Sequence, residues 1–254
     1  FPELVEEKSE KYSERERKMN SRDQILQKIR NSMVPVPEPS IPELPPLFES
    51  KHPDSETMKK TFADSLTALT GKFYEAASLE EAREILAKLT QENGWDSFSS
   101  TEDPLLEKLL PAEFFHGKGK KRLYLGEKNG ETDKKRLAEV PVSLLFPQFL
   151  IAETGSCVML NRTPHERLNC YLTPACVMAA FASQLRENLQ DAWDSIAETA
   201  ADPEIRGEYV LVTGPSRTAD IERVSVLGVH GPKTVCVLLI QDQTDENAPR
   251  RAKP

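Results

Sequence analysis

Residues 140–160 read VPVSLLFPQFLIAETGSCVML. Two runs in it, Val142 to Phe146 and Phe149 to Ile151, are short, apolar and without alternation. That pattern predicts strands buried on both faces, as parallel sheets require. Toward the carboxyl end, Val177 to Phe181, Tyr209 to Val212 and Thr234 to Ile240 repeat it, and Leu185, Leu189, Trp193 and Ile196 recur at helical spacing. Toward the amino end, Met58, Phe62, Leu66 and Leu69 predict one buried helix face, with Gly71 to close the helix. Lys72 to Ala76 then reads as extended chain, and Ser78 with Glu81 forms a capping box that opens a second helix, running through Leu89 and stopping before Gly94. A short helix at Leu105 to Leu110 and a brief strand at Arg122 to Leu125 follow. Helices alternating with buried strands predict an α/β fold, a mainly parallel sheet with helices on both faces.

The flanks have another character. Residues 1–20 are rich in Glu, Lys and Arg without a periodic apolar face and read as a solvated extension. Residues 21–53 combine a short amphipathic helix, in which Ser21 and Gln24 can cap and Ile25, Leu26 and Ile29 share a stripe, with a proline-rich strap. The α/β domain is expected over 54–241 and a polar tail over 242–254.

A net charge of -8 with a pI near 5.3 leaves no general basic field for nucleic acid. Cys157, Cys170, Cys176 and Cys236 show no C-x-x-C spacing, so buried reduced thiols are expected and no metal site. No segment approaches the roughly 18–20 apolar residues of a membrane span, and the amino terminus lacks the apolar core of a signal peptide. A cytoplasmic protein is the expectation. The HGKGKK stretch with His116 lacks the spacing of a phosphate loop and reads as a solvated loop.

In an open parallel sheet, ligands collect beyond the carboxyl ends of strands. Two loops match that rule: Glu153-Thr154-Gly155-Ser156 after the Phe149 run, and Thr213-Gly214-Pro215-Ser216-Arg217-Thr218-Ala219-Asp220 after the Tyr209 run. Gly214 permits close backbone approach, Ser216 and Thr218 can bond an anion or cap a helix, and Arg217 offers a planar fork for phosphate or carboxylate. The same residues also suit a rigid turn in which Arg217 pairs with Asp220 or Glu222. In Gly228-Val229-His230-Gly231-Pro232, His230 is either a general acid or base or a turn residue bonded to backbone. Glu153 is either a nucleophilic or basic carboxylate or a cap for the Gly155 turn. No Ser-His-Asp set and no dinucleotide glycine fingerprint stands beside them.

IAETGSCVML, VTGPSRTADIE and GVHGPK together resemble the LUD-domain family, the group that includes lactate utilisation protein C. The likeness extends through SRDQILQKIR and TFADSLTALTGKFYEAASLEEAREIL, over about residues 21–240. It implies a fold like the NagB/RpiA/CoA-transferase group. It also implies a part in oxidising L-lactate to pyruvate, as a member of a complex whose other subunits carry iron–sulfur clusters, with no cofactor in this chain. Glu153, Thr154 and Gly155, Thr213 through Glu222, and Gly228, His230, Gly231 and Pro232 fall on the family's motif positions, which assign them no individual roles. On their own chemistry Glu153 and His230 are the catalytic candidates, and Thr154, Gly155, Thr213, Gly214, Ser216, Arg217, Thr218 and Asp220 the ligand-binding candidates for a small anion. The alternative is a stand-alone enzyme acting on a phosphorylated sugar or a CoA ester.

Overall fold

Strands Val142–Leu145, Ala175–Phe181 and Thr234–Ile240 are almost wholly buried, as unbroken apolar text demands when both faces of a sheet are covered. The computed structural model describes residues 21–32, 51–101, 103–111, 114, 121–124, 130–203, 207–218, 226–228 and 230–242. Residues 1–20, the proline-rich 33–50, residues 115–120 with His116, Asp220 and Glu222, and the tail from 243 lie outside them.

In chain order the elements after residue 48 are α2 (Ser55–Ala68), β1 (Lys72–Ala76), α3 (Leu79–Asn93), β2 (Ser97–Ser100), α4 (Pro104–Leu109), β3 (Lys121–Tyr124), α5 (Gly130–Ala138), β4 (Val142–Leu145), β5 (Phe149–Ile151), β6 (Ser156–Asn161), α6 (Pro164–Leu168), β7 (Ala175–Phe181), β8 (Leu185–Arg186), α7 (Leu189–Ala201), β9 (Glu208–Val212), β10 (Arg217–Thr218), β11 (Val226–Leu227) and β12 (Thr234–Ile240). The chain divides after Leu47. Before that point, α1 (Ser21–Ser32) forms where the stripe of Ile25, Leu26 and Ile29 predicts it, and none of its residues is buried.

Six strands make a wholly parallel sheet in the order β1-β12-β7-β4-β2-β3. Because side chains alternate across a strand, Val142, Leu144, Val177, Ala179, Cys236 and Leu238 face one way. They meet Ala82, Leu86 and Leu89 of α3 and Leu106 and Leu109 of α4. Leu145, Cys176, Met178, Val235, Val237 and Leu239 face the other way, onto Phe62 and Leu66 of α2 and onto Leu150, Cys157 and Met159. Helices therefore cover both faces, as expected.

One assignment differs from the sequence reading. The runs at Phe149 and Tyr209 are not strands of the parallel sheet but belong to a second sheet, β8-β5-β6-β9, in which β6 runs antiparallel to both β5 and β9. This sheet shares the α2 side of the parallel sheet, and α7 closes its outer face through Ala192 and Ile196 against Ile151 and Val158. β9 is moreover only partly buried, with Leu211 exposed, so the expectation of burial on both faces fails for the Tyr209 run, the edge strand of its sheet. A short apolar run looks the same in either sheet, and composition could not separate them. For the same reason Leu185, placed by spacing on the helix of Leu189 and Ile196, sits in β8 instead.

Helix boundaries follow their caps. Ser78 accepts from the Glu81 amide at 3.2 Å and opens α3, which ends at Gly94 in the left-handed region (φ 64°). Ser78→Ala is expected to cost about 1 kcal/mol, read as a lower urea midpoint with an unchanged slope. Asp54 caps α2 by accepting from Thr57 N–H at 2.7 Å.

Candidate functional site

The two glycine loops meet at the end of α2. β5 and β6 are joined by a tight turn at 152–155, and β9 lies beside β6 with Val212 opposite Cys157. The carboxyl ends of β5 and β9 therefore flank the start of β6, and the loops that follow them lie at the same edge of the sheet. Ser156 Oγ lies 2.7 Å from Thr154 Oγ1 and 2.7 Å from Thr213 Oγ1, linking the loops by a chain of three hydroxyls. Ser156 is buried while Thr154 and Thr213 are exposed. Ser156 was legible as the last residue of the first loop but not as a link to the second; its bridging role arises from the β6–β9 pairing.

Close packing explains the glycines. Gly155 has φ 64°, and a Cβ there would lie 2.5 Å from the Leu66 backbone nitrogen. Gly214 has φ 81°, and a Cβ there would lie 3.1 Å from Leu69 Cβ. Both turns thus press on the last turns of α2, and Ser65 Oγ donates to the Glu153 carbonyl at 3.1 Å.

The end of α2 holds a further feature. The Thr70 amide donates to Thr67 O and that of Gly71 to Leu66 O, a Schellman closure in which Thr70, not Gly71, takes the left-handed position (φ 66°). Gly71 is needed for another reason, since a Cβ there would lie 2.4 Å from Leu66 Cδ1. A β-branched residue with positive φ is strained. Its hydroxyl accepts from Arg217 Nη2 at 3.3 Å, placing the guanidinium at a helix carboxyl end, where the partial negative charge favours a cation. Thr70→Gly is expected to raise stability by about 1 kcal/mol while removing this acceptor; a lower urea midpoint would contradict the strain assignment.

The His230 loop completes the cluster. Ser216 N–H donates to Pro232 O at 2.9 Å, Gly228 N–H donates to Ser216 O at 3.0 Å, and Arg217 pairs with Leu227 in the β10–β11 ladder. His230, Glu153 and Arg217 are all exposed. Asp220 and the side chain of Thr218 lie outside the described residues. Since Thr70–Gly71 leads into β1 and Pro232–Lys233 into β12, the cluster sits at the amino ends of two neighbouring parallel strands. The carboxyl-end rule of open parallel sheets does not describe it, because β5 and β9, from which the loops emerge, lie in the other sheet.

All four cysteines are buried free thiols. Burial pushes Cys170 up to about 12 and Cys236 up to about 11, and raises Cys157 and Cys176 as well. Thiolate, the metal-binding and nucleophilic form, is thereby disfavoured. Among the described residues no three His, Cys, Asp or Glu side chains are grouped to hold a metal. A disulfide-exchange reagent is expected to leave the folded chain unlabelled over minutes and to label all four thiols after denaturation; rapid native labelling would contradict the burial.

The LUD domain model matches residues 59–240, from α2 to the last strand of the parallel sheet. The chain belongs to the LUD domain family. Lactate utilization protein C of Bacillus pumilus is 27% identical over 169 residues, covering 65% of this chain and 70% of that one. The protein of the same name from Bacillus subtilis is 28% identical over 115 residues, covering 45% and 48%, so this match spans about half of that relative's length. Uncharacterized protein YkgG of Escherichia coli is 24% identical over 169 residues, covering 66% and 73%. The crystal structure of a DUF162 family protein from Deinococcus radiodurans superposes with a TM-score of 0.53 at 13% identity, over 74% of this chain and 99% of that one, which shows the shared LUD fold. The loops that meet at α2 lie within the matched LUD region, and the packing of Gly155 and Gly214 gives two of its glycines a physical reason.

Proposed function

We propose that this chain acts in lactate utilisation, as a subunit of an iron–sulfur L-lactate-oxidising complex that carries no redox centre itself and receives a small anion at the Arg217 loop. The observation that carries this reading is the LUD match across 59–240, joined by relatives named for lactate utilisation. The thiols support the division of labour, since four separately buried cysteines with raised pKa values are poor cluster ligands. Electron transfer then falls to partners. The share of this chain is to position: the hydroxyl chain of Thr154, Ser156 and Thr213 ties the two loops together, and Arg217 is held at the same end of α2 by Thr70.

The test is to isolate the tagged full-length chain from its own cells under anaerobic conditions. It is expected to recover cluster-bearing proteins and lactate-dependent dye reduction, whereas the chain alone reduces no dye. Lactate oxidation by the isolated chain, or recovery without any cluster-bearing partner, would overturn the proposal.

A further inference from the structure

A cavity open to solvent lies away from the glycine loops, at the opposite end of α2. It measures about 270 Å³ and is walled by Pro53 and Met58 on the α2 side and by Leu185, Arg186 and Asp191 on the β8–α7 side. Its rim is held in an unusual conformation. His52 has φ 45°, and both carboxylate oxygens of Glu187 accept from the backbone, Lys51 N–H at 3.0 Å and His52 N–H at 3.1 Å. Strained backbone that neighbouring groups hold in place is a recurrent feature of ligand clamps. The Glu187 carboxylate is thus engaged with the rim.

Arg186 is the cation of this cavity. Its guanidinium lies 5.1 Å from the centre of the Phe149 ring, and its Nη1 donates to the carbonyls of Ser183 and Leu185 at 2.9 and 2.7 Å. These contacts fix the group. Among the described residues no carboxylate forms an ion pair with it, although it is half-buried. Burial pulls it below the ordinary arginine range, with the charge of Asp191 opposing. A half-buried, fixed guanidinium that makes no ion pair among the described residues, with Asp191 near it, is suited to a carboxylate brought by a ligand. Asp191, in the first turn of α7, adds an acceptor on the same wall, while Pro53, Met58 and Leu185 are apolar.

We propose that this cavity binds a small monocarboxylate whose second carbon carries a hydrogen-bond donor, either the ammonium of an amino acid or the hydroxyl of a 2-hydroxy acid. The carboxylate meets Arg186, the donor meets Asp191, and a short apolar side chain rests on Met58 and Leu185. None of the cavity's lining residues belongs to the Arg217 loop.

Isothermal titration of the full-length chain with L-alanine, L-lactate, pyruvate and acetate tests it. L-alanine or L-lactate is expected to bind at least about tenfold more tightly than pyruvate or acetate, which lack the donor. Arg186→Gln is expected to lose about tenfold or more, and Arg186→Lys less, the lysine variant also showing that the β8 turn still folds. Asp191→Asn distinguishes the sources, abolishing alanine binding and only weakening that of lactate. No saturable heat with any of the four, acetate binding as well as the others, or affinity unchanged in both Arg186→Gln and Asp191→Asn would overturn the proposal. The titration uses the isolated chain, so its failure is separable from failure of the lactate-oxidation reading, which turns on partner association.

Discussion

Gly155→Ala is expected to destabilise the protein by about 2–5 kcal/mol. Two costs contribute. Holding a non-glycine residue in the left-handed region costs ~1–2 kcal/mol, and at φ 64° alanine meets that cost in full. The new Cβ would also lie 2.5 Å from Leu66 N and 2.8 Å from Leu66 Cα. Backbone cannot swing aside as a side-chain tip can, so the turn must lift from α2 at a further ~1–3 kcal/mol. At about 2–4 °C per kcal/mol for a domain of this size, the melting temperature falls by ~4–20 °C. Gly94 provides an internal control, having the same φ of 64° with nothing within 4 Å of the Cβ that an alanine would add. Gly94→Ala should show the conformational cost alone. If the two variants melt together, the close approach of the turn to α2 is wrong, and so is the packing account of this glycine.

Phe62→Ala carries the largest expected cost of a core truncation, about 3–5 kcal/mol. Phe62 is fully buried in the cluster formed by the parallel sheet, α2 and the second sheet, and its ring lies 6.0 Å from that of Phe73 on β1. The cavity would open beneath the helix whose far end carries Ser65 and Thr70. The variant is therefore expected to loosen the glycine loops as well as lower global stability. Amide hydrogen exchange reads this, with protection lost first in β5, β6 and β9. Phe98→Ala, on the opposite face between Trp95 and Phe114, should cost a similar amount while leaving local protection in the second sheet unchanged relative to global stability. A cost below about 1 kcal/mol for Phe62→Ala would mean that α2 is not packed as described.

Local order was legible wherever it depends on near neighbours in sequence. Ser78 and Glu81 mark the start of α3 and Gly94 its end, because capping joins residues three or four positions apart. The unbroken run of Val142 to Leu145 states that both faces are covered, and they are. The sequence also points to the loops at Glu153 and Thr213, since glycine beside hydroxyl and charged residues at the end of an apolar run is unusual text. It could not say that these loops meet.

By itself, then, the sequence determined the α/β class, the cap that opens α3 and the glycine that ends it, the buried strands of the parallel sheet and the residues of the candidate loops, each through short-range periodicity or side-chain chemistry. Only the tertiary structure decided that β5 and β9 leave the parallel sheet for a second one, that Ser156 bridges the loops, and that Thr70 takes the strained position facing Arg217. The physical reason is that pairing between strands is non-local. Phe149, Cys157 and Tyr209 find an apolar layer to pack against in either sheet, and the choice is made by the layer geometry of α2, α7 and the parallel sheet together.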